Sequence, residues 1–185
     1  MPINLDSRMA RKWNSLVIFL ALLSVVLGLA PAENAKSPAK ILVGPNILVS
    51  RDGDIPHVEL TIAANPRNPK NFLGGAITFA SRDGGAACKA YASMDGGNTW
   101  WDSAFPEQVR FGGGDPQAAF GLHGTAYFIG LGTELDDEGQ ERSACHFYRS
   151  VDGGLTWAKP ANLGRGLDHE QVVVDHSFGR FAGRV

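Results

Sequence analysis

Helix-forming patterns are scarce in this chain of 185 residues, and no stretch is basic enough to grip a nucleic acid. Lysine and arginine number 17 against 19 aspartates and glutamates, for a formal charge of -2. A nucleic-acid partner needs a basic stripe that displaces counterions from phosphates, so that class is excluded. No phosphate loop is present either. Gly112-Gly113-Gly114 precedes a strand pattern, not the helix N-terminus that would bind an anion. His123, His146 and His176 lack ligand spacing, so neither a metal site nor a cofactor is expected. The longest apolar run, Leu16 to Ala30, falls short of the roughly 20 residues that span a bilayer as a helix.

What is there is glycine, proline and short apolar runs. Twenty-three glycines and ten prolines, interspersed with Val, Ile, Phe and Tyr, point to one all-β domain with many turns. Ahead of it, Arg8, Arg11 and Lys12 precede the apolar run, and Ala30-Pro31-Ala32 follows as a small-x-small cleavage site. Residues 1–32 therefore have the pattern of a signal peptide, with a helical apolar segment, and predict a secreted or periplasmic protein with no membrane span after cleavage. Residues 33–40 make a flexible leader with nothing to bury.

Two octets dominate the remainder: Ser93-Met94-Asp95-Gly96-Gly97-Asn98-Thr99-Trp100 and Ser150-Val151-Asp152-Gly153-Gly154-Leu155-Thr156-Trp157. Their serines are 57 positions apart (93 to 150), and Cys88 and Tyr91 precede the first octet at the offsets of Cys145 and Tyr148 before the second. The aspartate can accept bonds from N–H groups just downstream, and the glycines supply the positive φ that other residues resist. Thr99 and Thr156 suit a following strand, and Trp100 and Trp157 bring large apolar surfaces to a buried face. Each octet thus predicts strand, hairpin, strand.

These octets are Asp-boxes, and on them the chain resembles the sialidase-like proteins with BNR repeats, whose fold is a β-propeller. In that family the box is a folding device, so Ser93, Asp95, Gly96, Gly97, Thr99 and Trp100, with Ser150, Asp152, Gly153, Gly154, Thr156 and Trp157, are expected to be structural. The resemblance implies one blade over 57–114, a second over 115–167 and an incomplete third over 168–185. Strands are expected at His57 to Ala64, with Val58, Leu60 and Ile62 on one face, at 72–79, at 88–93 and from Thr99. The second set is expected at 115–120, 125–131 and 143–150, and a third begins at 168–175, with Gly183-Arg184-Val185 in its second strand. Residues 41–49 are expected to form a lone strand. Propellers close with about four to eight blades, so the missing C-terminal blades are expected elsewhere, and one blade face is expected to stand open. Cys88 and Cys145 fall in phase on adjacent blades, beyond the roughly 7 Å reach of a disulfide, which favours two buried thiols.

Candidate chemistry gathers where the inner strands begin. His57, Glu59, Asp115, Asp168, His169 and Glu170 occupy the first turns there, where carboxylates serve general acid–base chemistry, bind a hydroxylated ligand, or bond backbone N–H groups between blades. If the resemblance extends to catalysis, it implies three arginines gripping the sugar carboxylate, a Tyr and Glu as nucleophile, and an Asp as acid/base. The first arginine motif departs here: three residues separate Arg51 from Ile55 in Arg51-Asp52-Gly53-Asp54-Ile55-Pro56, and Arg67 and Arg82 stand in no matching motif. No catalytic residue is carried over. Three functions stay open: an exo-sialidase-type glycosidase acting on extracellular glycans, a non-catalytic propeller that binds glycan or protein, and an inactive fragment.

Overall fold

A computed structural model describes residues 40–79, 85–103, 105–106 and 113–185. The signal peptide, the leader up to residue 39, Arg82 and Gly112 lie outside the described residues. The chain divides into two units, Met1–Gly44 and Pro45–Val185. In the first, residues 40–44 are exposed and irregular. The second holds eight strands: β1 His57–Ala64, β2 Phe72–Thr78, β3 Ala87–Ser93, β4 Trp101–Ser103, β5 Gly114–Phe120, β6 Ala126–Leu135, β7 Glu141–Ser150 and β8 Ala161–Arg165. No helix occurs among the described residues, and none there is long and apolar enough to cross a membrane.

The strands form two antiparallel sheets with the same sequential order, β1-β2-β3-β4 and β5-β6-β7-β8. The sequence accounts for each reversal. Between β1 and β2, the Asn65 side chain accepts the N–H of Arg67 at 2.9 Å, an Asx turn in a segment where Pro66 and Pro69 cannot continue a ladder. Between β3 and β4 stands the first octet. Ser93 Oγ accepts the Gly97 N–H at 2.9 Å, and the Asp95 carboxylate accepts the N–H of Thr99 at 2.9 Å and its hydroxyl at 2.6 Å. The second octet repeats the set: Gly154 N–H to Ser150 Oγ at 2.9 Å, and Thr156 N–H to Asp152 at 2.9 Å. Gly96, Gly97, Gly153 and Gly154 all take φ between 79° and 95°, where a side chain is strained. The threonine bonds at Asp95 hold its carboxyl below the usual range. At Asp152 burial acts upward and the Thr156, Ser150 and Leu155 bonds together outweigh it, with the same result.

The core lies between the sheets. Leu73, Cys88, Ala90 and Phe105 from the first meet Phe120, Phe128, Tyr148 and Trp157 from the second. Phe128 is fully buried, and the backbone opposite must be glycine: a Cβ on Gly75 would stand 2.5 Å from the Phe128 ring. Burying aromatic and aliphatic groups of this size contributes about 1.5–3 kcal/mol each. Phe105 lies 4.3 Å from Tyr148 and 4.7 Å from Phe128 between ring centroids, spacings at which aromatic pairs attract. Cys88 and Cys145 are both buried and form no disulfide, as their phase predicts. Burial pushes their thiols up to about 12 and about 11.

Three expectations are corrected. Residues 41–49 form no strand, because no described strand pairs with them, and Ile41, Leu42, Val43 and Leu48 are exposed. Residues 168–175 form no strand either. There the reversal has begun, with Asp175 exchanging two 2.8 Å backbone bonds with Gly183 and Arg184, but no ladder extends from it. In β1 the faces are the reverse of the amphipathic assignment. Thr61 and Ala63 turn toward the second sheet, whereas Leu60 and Ile62 are 75% and 68% exposed. The close approach of Phe128 demands small groups on the inner side, so the bulkier residues stand on the outer one.

Candidate functional site

The starts of β1 and β5 carry the same irregularity. A register shift interrupts β1 between Val58 and Thr61 and β5 between Gly114 and Gln117, the extra residue of a bulge. Glu59 (φ 51°) and Asp115 (φ 47°) sit at these shifts, and His169 (φ 56°) takes the same conformation further along; among the described residues no other non-glycine has positive φ. Such a backbone costs on the order of 1 kcal/mol or more per residue and persists where its surroundings hold it.

Here the surroundings are each other. The Asp115 N–H donates to the Glu59 carboxylate at 3.1 Å, and the His169 N–H donates to the Asp115 carboxylate at 2.9 Å. Asp115 thus donates its N–H to one neighbour and offers its carboxylate to the next, and three segments 54 to 56 positions apart are strung on one line. The His169 ring nitrogen is 4.0 Å from Asp115.

Glu170 follows immediately and is different. Both its carboxylate oxygens are buried without a hydrogen-bond partner among the described residues. Burial raises its pKa, and the neighbouring Asp115 and Asp168 carboxylates raise it further. Glu59, Asp115, His169 and Glu170 are therefore brought together, with Asp168 beside them. Chemically the cluster offers one carboxyl with a raised pKa, Glu170, and two carboxylates, Glu59 and Asp115, each engaged by a backbone N–H.

His57 is not part of it. Its ring faces the opposite side of the first sheet, with Nδ1 2.7 Å from the Ile55 carbonyl and Nε2 2.6 Å from the Tyr91 hydroxyl. Around this pair stands a polar network that the sequence reading missed. Lys89 bridges Asp52 at 2.7 Å and Asp102 at 2.8 Å, and Asp52 lies 3.4 Å from His57. Burial disfavours the Lys89 charge, yet the two carboxylates raise its pKa on balance. Burial also acts upward on Asp52, but the Lys89 bond, a backbone hydrogen bond and the Lys89 and His57 charges together outweigh it and lower the carboxyl. Burial pushes the Tyr91 phenol up to about 12. One oxygen of Asp52, Oδ1, is buried without a partner. The network closes one end of an apolar groove of about 390 Å³, lined by Leu60, Ile62, Gly74, Ala76 and Trp100. The available signal was the alternation Lys89-x-Tyr91 on β3, which places both side chains on one face.

Asp95 and Asp152 are spent on their own turns and reach neither place. Of the arginines, Arg142 pairs with Asp136 at 2.8 Å and Arg165 with Glu134 at 2.5 Å, both near the β6–β7 reversal. Among the described residues no group of three or more His, Cys, Asp or Glu is arranged to hold a metal ion. No family model and no curated protein matches the chain.

Proposed function

We propose that the two sheets are successive blades of an exported sialidase-like β-propeller, and that the protein binds a glycan, without cleaving it, at the end where β1 and β5 begin. The repeated octets, their shared bonding pattern and the sequential strand order support the blade reading. The charged and apolar order of residues 8–32 supports export. One observation carries the choice of ligand end: Glu170 holds a buried carboxyl with no partner beside Asp115 and Asp168. A buried acceptor left unmatched costs about 1–3 kcal/mol, a penalty that hydroxyl donors of a sugar would remove. Binding without cleavage follows from how the remaining carboxylates are used. Glu59 and Asp115 serve neighbouring backbone N–H groups, and among the described residues neither forms an ion pair with an arginine.

A glycoside hydrolase is the second reading, because a carboxyl with a raised pKa beside a carboxylate is also the arrangement of the acid and base pair of glycosidic cleavage. A glycan array and a fluorogenic sialoside assay on the full chain separate the two. The expected result is sugar binding, weakened about tenfold or more by Glu170→Gln, with no fluorophore released. Release of fluorophore that Glu170→Gln abolishes selects the hydrolase. Binding that Glu170→Gln leaves untouched rejects this end of the molecule as the ligand site.

A further inference from the structure

The two sheets meet through unlike faces, and among the described residues no sheet covers the complementary face of either. In register, Gly74, Tyr91 and Trp100 of the first sheet correspond to Phe128, Tyr148 and Trp157 of the second, since Phe72 pairs with Ser93 as Ala126 pairs with Ser150. This front face of the second sheet is the one packed on the first. Trp157 donates to Ser103 at 2.6 Å, Asn71 donates to the Gly153 carbonyl at 3.0 Å, and Leu73 lies over Gly154. The front of the first sheet has none of these partners among the described residues. Its Trp100 turns its N–H back to the carbonyl of Gly97 in its own octet at 2.9 Å, and Leu60 and Ile62 stand in solvent around the groove.

The back of the second sheet is the counterpart. Tyr127, Ile129 and Phe147 hold there the register positions of Leu73, Gly75 and Ala90, the surface on which the first sheet receives its neighbour. The Tyr127 and Phe147 rings stack at 5.5 Å, and Leu163 at the edge is 51% exposed. The segment carrying Val172, Val173 and Val185 lies along this face and adds the exposed Val173 to it.

We propose that a second copy of this chain docks on the front of the first sheet, meeting it with the back of its own second sheet and the segment that lies there. The contact repeats between molecules the front-to-back contact already made within one. It is heterologous, so successive copies close a ring or extend a filament. The inference goes beyond the glycan-binding reading and does not depend on it.

The test uses full chains. The unmodified chain is expected to self-associate by sedimentation velocity up to about 100 μM, a concentration at which micromolar contacts are populated. Leu60→Asp with Ile62→Asp, at side chains already in solvent, spoils the front, and Leu163→Asp spoils the back; circular dichroism confirms that each variant stays folded. Each variant alone is expected to be monomeric, and the two mixed are expected to form a 1:1 dimer and nothing larger, because one good face remains on each. A monomeric parent chain overturns the proposal, as does association that both variants retain. Association that one variant keeps and the other loses shows that like faces meet, and variants that both lose association yet fail to pair when mixed show no front-to-back contact; either result overturns the head-to-tail arrangement.

Discussion

The two sheets carry the same turn, the same strand order and tryptophans at the same position, yet one tryptophan is core and the other is not. Trp157 is 9% exposed and touches Phe105, Phe128 and Tyr148, whereas Trp100 is half-buried beside an open groove. The octet alone does not bury its indole. It aims the side chain at the front of its sheet, and burial depends on whether another sheet stands there.

The largest expected effect tests that difference directly. Trp157→Ala removes an aromatic from a packed cluster and strips Ser103 of a bond, and is expected to cost about 3–5 kcal/mol in urea unfolding. Trp100→Ala at the open face is expected to cost less than half as much. Equal costs would break the comparison, since the second sheet's contact would then add nothing.

The paired glycines sharpen it on a smaller scale. Gly96 and Gly153 share the left-handed conformation, so alanine strains both by about 1 kcal/mol. A Cβ at Gly153, however, would come 2.7 Å from Asn71 Oδ1 in the first sheet, while one at Gly96 meets nothing within 4 Å. Gly153→Ala is expected to lose about 1–2 kcal/mol more than Gly96→Ala, from the disturbance of the Asn71 hydrogen bonds, measured as the shift in urea midpoint at constant m-value.

The inter-sheet line is next. Asp115→Ala leaves the His169 N–H without its acceptor and is expected to cost about 1 kcal/mol. Hydrogen exchange at His169 should accelerate with little change in β1 to β4. A uniform acceleration across both sheets would show that the line holds more than its own segment.

The smallest effects have opposite signs in the two regions. Asp52 is depressed by Lys89, so its contribution is present above the unfolded carboxyl range and is lost as pH falls through the lowered folded value. Asp52→Asn should therefore destabilise at pH 7 and converge with the parent under acid. Glu170 is raised, so its protonated form favours folding, and that advantage is lost as pH rises through the folded value. Glu170→Gln should gain stability at pH 8 and none at pH 3. Urea midpoints across pH 3–8 read both, and parallel profiles for the two variants would contradict the opposed environments.

How much of this was legible follows the range of the interactions. The octet bonds span two to four residues, so Ser93, Asp95 and Thr99, and likewise Ser150, Asp152 and Thr156, announce their hairpins in the letters. The positions of β1 to β7 followed from the same spacing to within a few residues, whereas β8 was not anticipated and the strands expected at 41–49 and 168–175 are absent. Glu59, Asp115 and His169 were legible as strand-start candidates, but their shared bulge was not, because a positive φ at Glu or His leaves no mark in composition. His57 fell outside the cluster for a related reason: the bulge after it changes which side of β1 faces where. The Asp52–Lys89 bridge joins residues 37 apart and has no local signature.

By itself the sequence determined what each segment does with its immediate neighbours: it is all-β, it reverses at glycine-rich octets stapled by aspartate, and its cysteines fall in phase. Those outcomes rest on φ preferences and bonds within a single turn. Only the tertiary structure decided which face of each sheet is inside. Burial is a property of pairs of surfaces: Phe128 against Gly75 made the second sheet's front a core, and the same positions in the first sheet, facing no such partner among the described residues, became an apolar groove.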